Sequence, residues 1–315
     1  MVKVLISEKI DPLCPQIFKE AGFTVDIKTD LSPQELAETV GQYDGLVVRS
    51  STKVTADVLA KAGKLKVVGR AGAGVDTIDV EAATKAGVLV MNTPGQNANG
   101  VAELVFVHML ALIRKVVPGT VSLNEGRWEK KNLSGTELKG KTIGLVGFGA
   151  IGRRVAAIAE GFGMSVMAHD PLLNENQIRS AGARPSTLGE ILAEADFISL
   201  HLPKTPETVN MIDAAALAKM KAGAFLINCA RGGLVDEAAL AEVLKSGRLG
   251  GAGLDVFAAE PPAADNPLFG LDNFVGTPHI GASTAESQVN VAVAVARQMV
   301  DYFQAGALTG AVNKV

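Results

Sequence analysis

The chain has 315 residues, 48% of them hydrophobic, with 30 basic and 33 acidic side chains and a net charge of −3. This composition fits a globular chain of two domains and argues against disorder; the near balance of charge leaves no basic face for nucleic acid or anionic lipid. Cys14 and Cys229 lie far apart in sequence and form no spaced framework, which suits a reducing compartment and argues against a disulfide scaffold or a thiolate metal site.

Short β-branched runs alternate with helical patterns from the start. VKVLIS, TVDIK, GLVVRS, LKVVGRAG and VLVMNTP read as strands. Between them, Ser32-Pro33-Gln34-Glu35 reads as a capping box, and Asp79 and Gly87 bracket a short helix. Such alternation predicts a parallel sheet covered on both faces. It breaks at GQNANGVAEL, where a domain boundary is expected, and an apolar helix follows over about residues 100 to 115. The apolar stretch VAELVFVHMLALI is 13 residues long and contains Glu103 and His108, so it predicts a buried helix rather than a membrane span. The opening MVKVLISEKI has too short an apolar run for a signal peptide, and a cytoplasmic setting is expected.

A second alternation begins at KTIGLVGFGAIGRRVAAIAEGFGMSVMAHDP. Glycines collect in many turns, so a lone G-x-G-x-x-G decides little. Here a strand precedes it and a helix follows, as a dinucleotide loop requires. Gly147 would permit the tight turn and Gly149 the approach of a pyrophosphate. Gly152 would let the helix pack close, and Ala150 and Ile151 would open the helix N-terminus to the phosphates. Asp170, 18 residues beyond Gly152, is placed to accept both hydroxyls of an adenosine ribose. Its charge repels a 2′-phosphate and no arginine follows in DPLLNEN, so NAD is expected over NADP. The alternative for Asp170 is a strand-end turn residue before Pro171.

Three later strand ends carry the groups a hydride transfer needs: Arg231 in INCARGG, Glu260 in LDVFAAEPP and His279 in NFVGTPHIGAST. Alone, each has a bland reading, as a surface cation, a loop acid and a capping or core histidine. Ligands in open α/β sheets lie beyond the carboxyl ends of the strands, which makes the three candidates for one crevice. The two glycines after Arg231 would clear bulk for a ligand. His108 reads as a core or interface residue. His169 and His201 have no carboxylate in their motifs and are not expected to be catalytic. No cluster has metal-ligand spacing. The last apolar pattern, STAESQVNVAVAVARQMVDYFQAG, predicts one long amphipathic helix, and ALTGAVNKV a polar tail.

GRAGAGVDTIDVEAATKAGVLVMNTPGQNANGVAEL, GTELKGKTIGLVGFGAIG, LINCARGGLVDEAAL, GLDVFAAEPP and PHIGAST together resemble the D-2-hydroxyacid dehydrogenases over essentially the whole chain. Within that family they are most similar to the members that act on phosphoglycerate. The resemblance implies an α/β protein of two doubly wound parallel sheets. A Rossmann cofactor domain (98–284) would be inserted into a flavodoxin-like substrate domain (1–97 plus 285–315), with a cleft that closes on substrate. It also implies NAD-dependent oxidation of D-3-phosphoglycerate to 3-phosphohydroxypyruvate, a reaction of serine biosynthesis.

In that scheme His279 is the general base, Glu260 holds its other ring nitrogen, and Arg231 binds the substrate carboxylate and C2 oxygen. Asp255 faces the nicotinamide amide, while Thr208, Cys229 and Ala230 line the cofactor. The small residues after His279 leave room for the nicotinamide.

Arg49 and Arg70 end neighbouring predicted strands and suit a phosphate dianion, and Asn97 with the amides of Ala73, Gly74 and Val75 would hold the carboxylate end. The partner expected besides a phosphorylated hydroxy acid is a second copy, giving a homodimer or a tetramer; nucleic acid, membrane and metal are not expected.

The sequence departs from the family pattern in two places: Ala150 stands where a basic residue is frequent, and Ala73 where a hydroxyl residue is. The chain ends at GAVNKV, without the regulatory domains many members carry, which suits a short natural form or a trimmed chain. Glyoxylate or hydroxypyruvate reduction and broad D-2-hydroxyacid oxidation remain alternatives. So does a dinucleotide-binding corepressor of the same fold.

Overall fold

The structure, a computed structural model, describes residues 1–315, and its internal contacts divide it into two units, Met1–Asn97 with Ser283–Val315 and Ala98–Ala282. The first unit begins β1 (Lys3–Ile6), α1 (Leu13–Glu20), β2 (Thr24–Ile27), α2 (Pro33–Val40), β3 (Gly45–Val48), α3 (Ala56–Ala60), β4 (Val67–Arg70), α4 (Val80–Lys85) and β5 (Leu89–Asn92). Its strands are all parallel, in the order β2-β1-β3-β4-β5. A parallel sheet is buried on both faces, so its inner strands are largely apolar and successive side chains serve opposite layers, while the edge strand β2, TVDI, is partly exposed. Val4 and Ile6 pack with Phe18 and Met299 on one side, while Leu5, between them, packs with Leu36 and Leu59 on the other. Ser32 caps α2 through a capping box with Glu35, and Asp79 caps α4.

The second unit runs α5 (Ala98–Ile113), α6 (Val116–Asn124), β6 (Thr142–Val146), α7 (Ala150–Gly161), β7 (Ser165–His169), α8 (Glu175–Ser180), β8 (Arg184–Pro185), α9 (Leu188–Glu194), β9 (Phe197–Leu200), α10 (Ala214–Lys219), β10 (Phe225–Asn228), α11 (Glu237–Lys245), β11 (Gly251–Leu254) and β12 (Phe274–Gly276). These strands form a second parallel sheet, ordered β12-β11-β10-β9-β6-β7-β8. The order reverses between β6 and β9, which puts the glycine loop after β6 at the switch point where such sheets bind ligands. Gly144 in β6 admits α9, since a Cβ there would lie 2.4 Å from Ile191 Cγ2.

The chain then returns to the first unit as α12 (Ala285–Ala305), capped by Thr284. Two strand glycines receive it: a Cβ on Gly69 would lie 2.4 Å from Met299 Sδ, and one on Gly45 would lie 2.8 Å from Met299 Cε. The polar tail takes on a structural role. Ala311 forms an antiparallel bridge with Met91, and Asn313 Oδ1 accepts the Val90 amide at 2.7 Å. β5 is an edge strand whose free amides and carbonyls need partners, and the tail supplies them. No helix is long and apolar enough to cross a membrane.

Candidate active site

In the first unit, Arg49, Arg70, Ala73, Gly74, Val75 and Asn97 all fall at or beyond the carboxyl ends of β3, β4 and β5. Val48 and Arg70 are register partners, so Arg49 and Arg70 leave adjacent strands at one sheet edge. The Arg49 guanidinium donates to the Lys9 carbonyl at 2.9 Å and to Gln288 Oε1, both neutral acceptors. Glu8 shapes the loop, accepting the amides of Arg49 at 2.7 Å, Thr52 at 2.8 Å and Ser51 at 3.1 Å. Burial alone would raise the pKa of this carboxyl, but the bonds from Thr52, Arg49 and Ser51 outweigh it and hold the group below the ordinary glutamate range.

Arg70 folds over Gly72, where a Cβ would lie 1.3 Å from Arg70 Nη1. Beyond it the chain turns outward: the Gly72 amide donates to Thr93 Oγ1 at 2.8 Å, and Asn92 Nδ2 donates to the Ala73 carbonyl at 2.5 Å. The amides of Ala73, Gly74 and Val75 donate to no acceptor of the protein. Asn97 Oδ1 is buried and likewise forms no hydrogen bond. Buried polar atoms without partners are uncommon in folded chains and suit a polar ligand.

In the second unit, Arg231, Asp255, Glu260 and His279 belong to one hydrogen-bonded network. His279 Nδ1 lies 2.7 Å from Glu260 Oε2, and Glu260 Oε1 accepts the Phe257 amide at 3.1 Å. A carboxylate on Nδ1 favours the tautomer with the proton there, and Nε2 has no hydrogen-bond partner in the protein. The His279 amide donates to the Asp255 carbonyl at 2.8 Å, and the residue sits in the left-handed region at φ 54°.

The Asp255 amide donates to the Asn228 carbonyl at 2.9 Å, and Asn228 Nδ2 donates to the Arg231 carbonyl at 2.9 Å. Asn228 thereby ties the cation's turn to the histidine's. Nothing in its strand-end position distinguishes it in the sequence, because its role depends on strands β10 and β11 lying side by side.

Several expected roles meet a different arrangement. Asp255 is 1% exposed and both its carboxylate oxygens are engaged: Oδ1 accepts Thr277 Oγ1 at 2.6 Å and the Ile280 amide at 2.8 Å, and Oδ2 accepts the Gly281 amide at 2.8 Å. Its side chain holds the histidine's turn. Thr208 donates to the Pro203 carbonyl at 2.8 Å and accepts the Thr205 amide at 2.7 Å, which makes it a shaper of its own loop.

The glycines after Arg231 have packing reasons. A Cβ on Gly232 would lie 1.7 Å from the Phe257 carbonyl oxygen, and Gly233 has φ +81°. Cys229 and Ala230 are buried at the end of β10, and burial pushes the Cys229 thiol well above its ordinary pKa. His201 is pushed down to about 3 by burial and neither ring nitrogen has a partner; His169 Nδ1 lies 3.2 Å from the Ser186 carbonyl oxygen.

Residues 106–281 match the family described as D-isomer specific 2-hydroxyacid dehydrogenase, NAD binding domain. The chain belongs to this family. Among D-isomer specific 2-hydroxyacid dehydrogenases, it is 46% identical over 311 residues to the D-3-phosphoglycerate dehydrogenase of Rattus norvegicus, covering 99% of this chain and 58% of that protein. The chain thus spans little more than half the length of that curated relative. Its fold is similar to the NAD⁺-bound 3-phosphoglycerate dehydrogenase of Entamoeba histolytica, with TM-score 0.84, 32% identity and 99% of both chains covered. It is also similar to a glyoxylate reductase from Paecilomyes thermophila, with TM-score 0.90, 29% identity and 99% and 98% of the two chains covered.

The family's cofactor is NAD, and the glycine loop fits it. Gly147 has φ +94° and a Cβ there would lie 2.4 Å from the His201 carbonyl oxygen; one on Gly152 would lie 2.5 Å from the Gly147 carbonyl oxygen. Those two glycines are required by the backbone. Gly149 is not: a Cβ there would meet no protein atom within 4 Å, so its bare backbone leaves space for a ligand. Gly149 caps α7 without a side-chain hydrogen bond, leaving the amides of the first turn, which includes Ala150 and Ile151, free for phosphate. Asp170 Oδ2 accepts the Phe148 amide at 2.8 Å and Oδ1 accepts the Leu172 amide at 2.9 Å. It therefore shapes the dehydrogenase loop and its own turn, and each oxygen keeps a further lone pair for a ribose hydroxyl.

Proposed function

We propose that this chain oxidises D-3-phosphoglycerate to 3-phosphohydroxypyruvate with NAD, a reaction of serine biosynthesis. The observation that carries the reading is the 2.7 Å contact between His279 Nδ1 and Glu260, which leaves Nε2 as a base within the network that holds Arg231. NAD, when bound, supplies the hydride acceptor. His279 takes the proton of the C2 hydroxyl at Nε2 as the C2–H bond breaks and the C2 carbonyl forms. Glu260 stabilises the resulting imidazolium, and the Arg231 fork binds the carboxylate and the C2 oxygen. Asp170 accepts the ribose hydroxyls of NAD.

A phosphorylated substrate is supported by two arginines on adjacent strands, by the unengaged amides of Ala73, Gly74 and Val75, and by the name of the 46% identical rat relative. Residues 1–97 and 285–315 serve substrate, and 98–284 serve the cofactor. The chain works as at least a homodimer: Val107, Val116, Val121, Leu123 and Trp128 are 46–79% exposed over one segment, an apolar patch that a second copy would cover. Two free cysteines suit the cytoplasm.

The test is NADH formation over a panel of 3-phosphoglycerate, glycerate, lactate and glycolate, for the wild type and His279→Ala. Preference for phosphoglycerate, with a loss of about 10² to 10⁴ in rate for the variant, is expected. Equal use of glycerate would replace this reading with a broad dehydrogenase. Binding of NADH without turnover of any substrate would replace it with a corepressor-like protein.

A further inference from the structure

The turn that presents His279 is braced by a buried relay that starts on another element. His108 on α5 is fully buried, and its ring lies against β11, where a Cβ on Gly253 would be 2.8 Å from His108 Cβ and Nδ1. Its Nε2 lies 2.9 Å from Thr277 Oγ1, and Thr277 Oγ1 lies 2.6 Å from Asp255 Oδ1. Asp255 in turn holds the amides of Ile280 and Gly281 with its carboxylate and that of His279 with its carbonyl.

The direction of the Thr277–Asp255 bond sets a proton order along this chain. The Thr277 hydroxyl donates its single proton to Asp255 Oδ1, so its oxygen accepts from His108 Nε2–H. Burial lowers the pKa of His108, against opposing pulls from Asp255 and the Gly253 backbone, which favours the neutral ring; its Nδ1 is buried without a hydrogen-bond partner. Each of the two side-chain bonds of the relay then has one donor and one acceptor, and together they order the Asp255 carboxylate.

We propose that His108 and Thr277 are positioning residues for the dehydrogenase reaction: through the Asp255 carboxylate they fix the left-handed turn at His279 and so the aim of its Nε2. This rests on the reading of His279 as the base. A left-handed conformation at a non-glycine residue is costly and persists only when its surroundings enforce it. Here three amides of the turn are claimed by a single aspartate, whose own free choice of rotamer is removed by Thr277 and His108. The relay also gives Asp255 a task that does not depend on touching the cofactor.

The experiment compares Thr277→Val and His108→Leu, which keep bulk and delete the polar link, with Thr277→Ser and His108→Gln, which keep it. His279→Ala is measured beside them. For each protein kcat, KM, the NADH Kd by fluorescence quenching, the isotope effect with C2-deuterated substrate and the melting temperature are recorded. Misplacing a reacting group by about an ångström costs up to about a hundredfold. The first pair should lose between about ten- and a hundredfold in kcat with NADH Kd within about twofold and a raised isotope effect, and the second pair should recover most of the rate.

Unchanged kcat in Thr277→Val and His108→Leu, with His279→Ala inactive, overturns the relay and leaves the base in place. Equal loss in all four variants assigns the effect to packing and also overturns it. A weakened NADH Kd in place of a lowered kcat returns Asp255 to the nicotinamide. Full activity of His279→Ala removes the base reading, and the relay's purpose with it.

Discussion

Glu260 and His279, 19 residues apart in sequence, meet through Oε2 and Nδ1 at 2.7 Å, and Glu260 reaches that position because its other oxygen is held by the Phe257 amide. In the proposed reaction the contact orients the ring and places a carboxylate beside the imidazolium that proton transfer would form. Glu260→Gln keeps an acceptor for Nδ1–H and removes the charge. Its kcat should fall, by less than that of His279→Ala, with KM for NAD little changed; steady-state kinetics of the two variants side by side checks the order.

Asp170 accepts the Phe148 amide of the glycine loop, and the role proposed for it is to accept the ribose hydroxyls as well. Asp170→Ala should therefore weaken NAD binding and also relax discrimination against NADP, by about tenfold or more in the ratio of kcat/KM values, since a like-charge repulsion is removed. Equal preference for both cofactors in the wild type would remove the ribose role and leave only the loop-shaping one.

Arg49 and Arg70 leave adjacent strands, and hydrogen bonds to a charged partner contribute about 1.5 to 3 kcal/mol each. Arg49→Ala and Arg70→Ala should each raise KM for phosphoglycerate by roughly one to two powers of ten. A short unphosphorylated hydroxy acid should show little change, and a parallel loss on both substrates would assign these arginines to folding.

Glu8 couples the Arg49 loop to pH. Its folded pKa is held below the unfolded value of about 4.3, so its stabilisation is fully present above that pH and is lost as pH falls through the folded pKa. Glu8→Gln should lower the melting temperature at neutral pH, and the gap between variant and wild type should close on acidification below about 4. A gap independent of pH would mean that the carboxylate charge is not what matters there.

The exposed Val107, Val116, Val121, Leu123 and Trp128 should be shielded in solution. Light scattering at micromolar concentration should give at least twice the mass of one chain, and Trp128→Glu combined with Val121→Asp should shift it toward the monomer. A wild-type monomer would leave this face without the second copy proposed for it.

Alternating apolar runs and helix caps pointed to most strands of both sheets, though not to β8, because strand and helix periodicities are local properties of the chain; the Ser32 capping box and the strand at GLVV are as legible in the sequence as in the structure. The glycine loop was equally legible, since the positive φ of Gly147 and the approach of Gly152 to the Gly147 carbonyl belong to one β-α step, although the His201 carbonyl that also crowds Gly147 comes from beyond β9. His279 and Glu260 could be nominated as strand-end residues, but their pairing depends on loops joined by 19 residues of chain.

What only the tertiary structure decided are the roles that arise between strands and helices far apart in sequence. Asp255 reads as a ligand-facing acid and is buried with both oxygens engaged. Gly232 reads as room for a ligand and is required by the Phe257 carbonyl. The tail ALTGAVNKV reads as a polar end and closes the edge of β5. His108 reads as core and is bonded to Thr277, 169 residues away. In each case the contacting group lies beyond any local spacing, and a buried polar group takes whatever partner the packing brings to it.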